Sequence, residues 1–135
     1  MSYRLELTPS PSALVAAAEL RRRVFTLEQG VDPAIERDGL DDEAQHVVVY
    51  GEGGVIVGTG RIMLGRAVAK VQRVAVDATL RGQGVGRLVM RGLETLAVAR
   101  GVHEMCLSSQ DSAVHFYERL GYLAQGAPYM EAGIV

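Results

Sequence analysis

The chain has 135 residues, 48% of them hydrophobic, and a formal net charge of −2. That length predicts one domain with a real core, spanning residues 1–135, and is too short for two. The slight negative balance excludes a surface dominated by Lys and Arg, so no nucleic-acid partner is expected. A single cysteine, Cys106, allows no internal disulfide and fits a reducing compartment. The opening MSYRLELTPS has no signal-peptide core, and apolar runs such as 13–18 are too short to cross a bilayer. A soluble, cytoplasmic protein without a membrane partner is expected.

Tyr3–Leu7 alternates and predicts a strand. Ser10-Pro11 starts a helix, with a capping hydroxyl followed by proline at the first helical position. Ala13, Ala17, Leu20, Val24 and Leu27 then recur at helical spacing, and Gly30 ends the run. Residues 31–45 are polar and irregular, with room for one short helix. His46–Tyr50 and Val55–Leu64 form a hairpin around Glu52-Gly53-Gly54. Val68–Val76 is a third strand of that sheet. Val85, Val89, Gly92, Leu93, Leu96 and Ala99 make one face of a helix that Gly101 caps. Met105–Ser109 is a strand. A helix capped by Asp111 or Ser112 and ended by Gly121 follows, and then a last strand, Tyr129–Val135. Antiparallel strands come first and β-α-β units after them, which predicts an α/β (α+β) fold with a mixed sheet and helices on both faces.

The stretch TLRGQGVGRLVM, residues 79–90, carries the strongest chemical signal. A dinucleotide fingerprint would need a third glycine at position 87 or 89, where Arg87 and Val89 stand; a P-loop would need Gly-Lys, which the chain lacks. What remains is R-x-x-G-x-G between a strand and a helix. Glycines let the backbone approach a ligand, and a helix N-terminus offers free N–H groups and partial positive charge to phosphates. Arg81 and Arg87 add charge. The competing reading is a plain glycine-rich turn, which is common.

Three blocks in order, VQRVAVD, RGQGVG and SSQDSAVHFYERLGY, resemble the GCN5-related N-acetyltransferase (GNAT) superfamily. Arg81, Gly84 and Gly86 match its acetyl-CoA loop; Phe116, Tyr117, Gly121 and Tyr122 match its F-Y-x-x-x-G-F block. LRRRVFTLEQGV, RDGLDDEAQHVVV and YMEAGIV look like the ElaA-like (YjcF-like) branch. One position departs from the pattern: seven residues before Tyr117, Gln110 stands where the superfamily often has asparagine. Relatives extend beyond the E-x-G-I block, so a short final strand is expected.

The resemblance implies splayed strands, with pantetheine pairing to the backbone of Val74, Ala75 and Val76. It implies a pyrophosphate on Arg81, Gly82, Gln83, Gly84, Val85, Gly86 and Arg87, and contacts from Gln110 and Tyr117. The implied function is acetyl-CoA-dependent transfer to an amine by direct attack, with an oxyanion donor at the Val74 amide or a neighbour. Tyr117 would protonate the thiolate, and Glu28 or Glu131 would take the ammonium proton. By itself Tyr117 also suits a core aromatic, and Glu28 a solvated helix end. A non-catalytic acyl-CoA-binding or regulatory module is the alternative, and a second diphosphate-binding reading would use the same loop for a nucleotide. The family often dimerises, so a homodimer is one arrangement.

His46, His103 and His115 do not cluster at metal-ligand spacing, and no metal is expected. Cys106 suits a small buried hydrophobe better than a nucleophile. Between Glu28 and Glu43 lie seven acidic residues (Glu28, Asp32, Glu36, Asp38, Asp41, Asp42 and Glu43) against Arg37 alone. They form either an acidic mouth for a cationic amine or a solvated loop.

Overall fold

The computed structural model describes residues 2–36, 39–65 and 68–107. The expected helix after 111, the last strand, and Gln110, His115, Tyr117 and Glu131 lie outside the described residues. Within them a five-stranded sheet has the order β1-β2-β3-β4-β5: Arg4–Glu6, Gln45–Tyr50, Ile56–Leu64, Val68–Val76 and Glu104–Leu107. The first four pair antiparallel and β4 pairs β5 in parallel, giving the mixed sheet that the element order predicted.

One helix covers each face. Helix α1 spans Pro11–Arg21, and the Ser10 hydroxyl accepts from the Ala13 amide at 3.2 Å as its cap. A short helix, α2, spans Pro33–Glu36, and α3 spans Val85–Ala99. Ala13, Ala17, Leu20 and Val24 pack with Val48, Ile56 and Ala75 on one side. Val85, Val89, Met90, Leu93 and Ala97 pack with Val47, Val49, Ile62, Ala69 and Val71 on the other. Alternation along β2 divides its valines between the two cores, as period 2 demands. Gly101, at φ 76°, ends α3 as expected: its amide reaches Val98 O and the Val102 amide reaches Ala97 O.

Two departures from regular periodicity position the site. First, α1 does not run on as an α-helix. Arg22–Glu28 winds as a seven-residue π-helix, with the Gln29 amide reaching back to Val24 O at 3.2 Å. The wider winding turns Leu27 off the buried stripe; it is 64% exposed, and Phe25 packs inward instead. Leu27 is therefore not the core residue its spacing suggested.

Second, β4 carries a bulge. Thr59 faces Ala75, but Arg61 faces Gln72, so Arg73 and Val74 together oppose Gly60. Arg73 adopts φ 55°, the left-handed region, and is the one non-glycine residue to do so among those described. Without the extra residue, strict alternation would turn Arg73 toward the α3 core and Val74 and Val76 away from it. With it, Val74 and Val76 pack on the α3 core and Ala75 on the α1 core.

Helix α3 sits flush on β3 because two positions there lack side chains. A Cβ on Gly58 would lie 2.6 Å from Val85 Cγ1, and one on Gly60 would lie 2.7 Å from Val89 Cγ1. Gly60→Ala should cost about 1–3 kcal/mol through overpacking. Urea unfolding monitored by circular dichroism measures the loss, and unchanged stability would show that α3 can lift off β3 freely.

Candidate active site

The candidate phosphate loop follows β4 directly. Asp77 closes the strand, donating its amide to Val57 O at 2.8 Å. Its carboxylate accepts from the Thr79 hydroxyl at 2.7 Å and the Thr79 amide at 2.9 Å. Those hydrogen bonds outweigh its partial burial and hold the Asp77 carboxyl below its ordinary value. A single 3-10 turn, Ala78–Leu80, leads to Arg81, then to Gly82 at φ 82° and Gly84 at φ 90°. Gly84 is the N-cap of α3 and brings no side chain to it. The first bond of the helix runs from the Leu88 amide to Gly84 O. The amides of Val85, Gly86 and Arg87 thus have no acceptor within the helix. The R-x-x-G-x-G stretch thus ends in a bare helix start with backbone open to solvent, an arrangement that can hold an anion.

Of the other residues expected to hold the cofactor, Gln110 and Tyr117 lie outside the described residues. Val74, Ala75 and Val76 form the end of β4, which leads into this loop. The parallel ladder to β5 runs from Val68↔Glu104 to Val71↔Leu107, and among the described residues β4 continues through Val76 without a β5 partner. Gln83 accepts a hydrogen bond from the Tyr3 hydroxyl at 2.7 Å, which ties the loop to the start of the chain. Arg87 is exposed and makes no ion pair among the described residues.

Glu28 and Arg81, two of the expected site residues, are engaged with each other. The Arg81 guanidinium grips both Glu28 oxygens, with its Nη2 at 2.9 Å from Oε2, and also donates to Val76 O at 3.2 Å. The pair joins the end of the π-helix to the phosphate loop. Both oxygens of Glu28 are occupied, so a base role for it requires the pair to open.

The acidic segment does not behave as a uniform mouth or as a solvated loop. Arg61, on β3, is 0% exposed and Arg21, at the end of α1, 4%. Arg21 donates to Glu36 at 2.7 Å and, through Nη1, to Asp41 Oδ1 at 2.7 Å. Arg61 Nη1 reaches the same Asp41 oxygen at 2.8 Å, and its Nε and Nη2 both reach Gln72 Oε1, at 3.2 and 2.8 Å. Arg73 Nε donates to Glu36 O at 3.4 Å, and His46 Nε2 donates to Asp41 O at 2.9 Å. Three of the seven acids, Glu28, Glu36 and Asp41, are thus spent on arginines, while Asp42 and Glu43 are exposed without a partner among the described residues.

Sequence reasoning had assigned no role to Arg61, Gln72 or the Arg73 bulge. Their signal is a break in pattern: a charged residue between Gly60 and Ile62 in an apolar strand, and two consecutive polar residues, Gln72-Arg73, where a strand should alternate. Cys106, expected to be buried, is exposed on β5, the last described strand, where the sheet has no further described neighbour to cover it.

The chain matches the acetyltransferase (GNAT) domain family over residues 10–135, and it belongs to that family. The Bacillus subtilis N-acetyltransferase YjcF is 36% identical over 116 residues, covering 85% of this chain and 82% of its own. Among solved structures, a Lactobacillus plantarum protein superposes with a TM-score of 0.87 at 29% identity, over 99% of this chain and 93% of its own. Escherichia coli ElaA superposes with a TM-score of 0.80 at 27% identity, over 98% and 94%. The expected family and fold class are thereby established, and the chain is an acetyltransferase of the kind that uses an acyl-CoA donor.

Burial alone would raise the Asp41 carboxyl, but hydrogen bonds from Arg21 and Arg61 outweigh it and hold the group below its ordinary value of 3.8. A depressed carboxyl contributes stability that is complete above the unfolded-state value, declines below it, and is lost as pH falls through the lower folded-state value. Asp41→Asn should therefore destabilise the protein near neutral pH, and its deficit relative to wild type should shrink below about pH 4. Urea unfolding of both proteins between about pH 6 and pH 3 tests this; a deficit constant with pH would mean that the carboxylate charge is not what Arg21 and Arg61 require.

Proposed function

We propose that this protein moves an acetyl group from acetyl-CoA to a primary amine by direct attack in a ternary complex. The observation that carries the reading is the uncapped start of α3, where the amides of Val85, Gly86 and Arg87 have no acceptor within the helix. The pyrophosphate would rest on the amides of residues 82–87, with Arg87 adding charge. Arg81 would join it only by leaving Glu28. An exposed ion pair contributes only about 0–1 kcal/mol, so a diphosphate is able to compete for the guanidinium. Pantetheine would lie along Val74, Ala75 and Val76 as an added strand, with Gln110 contacting it further along.

In the transfer the amine nitrogen attacks the thioester carbonyl. The new C–N bond forms as the C–S bond breaks, and holding both reactants in line supplies much of the rate. The Val74 amide or a neighbour stabilises the oxyanion. Tyr117 gives its proton to the departing thiolate, since an unperturbed tyrosine is protonated at neutral pH. The amine must lose a proton before or during attack. Glu131 takes it, directly or through water, or Glu28 does once Arg81 has moved. We assign a cationic acceptor on Asp42 and Glu43, two exposed acids outside the arginine network. A cytoplasmic setting is part of the same reading, since a chain with a single cysteine suits a reducing compartment.

Release of free thiol from acetyl-CoA across a panel of cationic and neutral amines tests the activity. Cationic amines should turn over best and lose that advantage as salt rises, because exposed charges are screened over about 8–10 Å. Calorimetry should show acetyl-CoA binding that Gly86→Val weakens about 10–100-fold, since hydrogen bonds to charged groups are worth about 1.5–3 kcal/mol. Tight binding without thiol release would favour the non-catalytic module. Competition by ATP or NAD at equal affinity would favour a general diphosphate site.

Tyr117→Phe should lower turnover about 10²-fold with acetyl-CoA affinity unchanged, the size of a lost general acid. Wild-type turnover in this variant would assign the thiolate's proton to another group or to water.

A further inference from the structure

Two buried guanidiniums are a costly way to fill the space between a helix and a sheet. Apolar side chains of similar volume often hold such a space as well or better, because ionic groups must be stripped of water. What apolar side chains cannot do is aim another polar group, and here the arginines aim Gln72. Its Oε1 takes two N–H groups from Arg61, one residue before the bulge. Arg61 is held in turn by Asp41, Asp41 by Arg21, and Arg21 by Glu36. The Glu36 carbonyl then accepts from Arg73, the bulged residue itself. The contacts close into a ring that enters β4 at Gln72 and returns to it at Arg73. Within the ring sits a left-handed Arg73 at φ 55°, a conformation that costs about 1–2 kcal/mol for a side-chain-bearing residue and persists only where its surroundings impose it.

We infer that Asp41 is a positioning residue for acyl transfer, its carboxylate joining Arg21 to Arg61 so that Gln72 and Arg73 hold the β4 bulge, and with it the Val74 amide, in one place. The inference rests on the acyl-transfer reading only for its kinetic consequence; the structural claim about the bulge stands apart from it. Asp41 is the joint of the ring because one oxygen, Oδ1, receives both arginines. Its side chain is 47% exposed, whereas the Arg21, Glu36 and Arg61 that surround it in the ring are buried. In this inference Asp41 acts through Arg61 and Gln72. A displacement of about 1 Å at an oxyanion donor is enough to cost about 10²-fold in rate.

The test compares Asp41→Asn, Gln72→Leu and the double variant. Each single variant should lower kcat about 10–100-fold and leave acetyl-CoA affinity within about twofold. Because Asp41 acts through Gln72, the double variant should lose no more than the worse single variant. In ¹⁵N-labelled protein, the Arg73 and Val74 amide signals should move or broaden in Asp41→Asn and stay in place in Glu52→Gln, an equal charge change at the β2–β3 turn. A lower melting temperature with kcat per folded molecule unchanged would reduce Asp41 to a structural role and overturn the inference, as would additive losses in the double variant. Stationary Arg73 and Val74 signals in Asp41→Asn would overturn it whatever the kinetics. A wild-type protein that acetylates no amine would defeat the proposed function while the NMR comparison still decides the claim about the bulge.

Discussion

Arg61 is a charged side chain with no solvent exposure, lodged where the sheet meets its first helix. An unpaired charge there would be prohibitive, and the surrounding chain is organised to neutralise it. Asp41 is brought in from the segment before β2 and Gln72 from β4; the same Asp41 oxygen also takes Arg21 from the end of α1, whose charge is answered by Glu36 on α2. In the irregular stretch between α1 and β2, Glu36 and Asp41 are therefore tied to the end of α1 and to the sheet.

The two faces of the sheet consequently work by different physics. On the α3 face the contacts are apolar and close: valines against glycine backbone, with no polar side chain among the core residues. This face sets where α3 begins, and so where its free amides stand. On the α1 face a small apolar cluster gives way to the arginine network. The bulge in β4 lies between these regimes. Val74 faces the close-packed side, while Gln72 and Arg73 are held on the ionic one. An amide at this position is thus constrained from both directions.

Legibility in the sequence followed the same division. The α3 side obeys regular periods, so its helix, its glycine cap and the β2–β3 hairpin were readable to within a residue or two. The glycine-rich loop before α3 was readable because glycines and a helix start are local features. The π-helix and the bulge were not, because each breaks the period on which a pattern argument depends. Leu27 looked like a core residue until the winding changed beneath it. The Arg81–Glu28 pair joins positions 53 residues apart and the Arg61–Asp41 pair positions 20 apart, and nothing in the order of residues announces either. The acidic run was conspicuous, but composition does not reveal which carboxylates are already committed to an arginine.

The π-helix from Arg22 to Glu28 also bears on how this chain would tolerate insertions and deletions. A π-turn spends one more residue per hydrogen-bonded loop than an α-turn, so removing one residue from this stretch would let ordinary winding resume with little loss of helix. The rotational phase of everything after the deletion would change. Glu28 would then face a different direction, and its hold on Arg81 would be lost, while α1 and its packing on the sheet stayed as they are. The end of the π-helix and the loop before α3 are therefore linked by a residue count, and that linkage can be cut while Pro11–Arg21 keeps its place on the sheet.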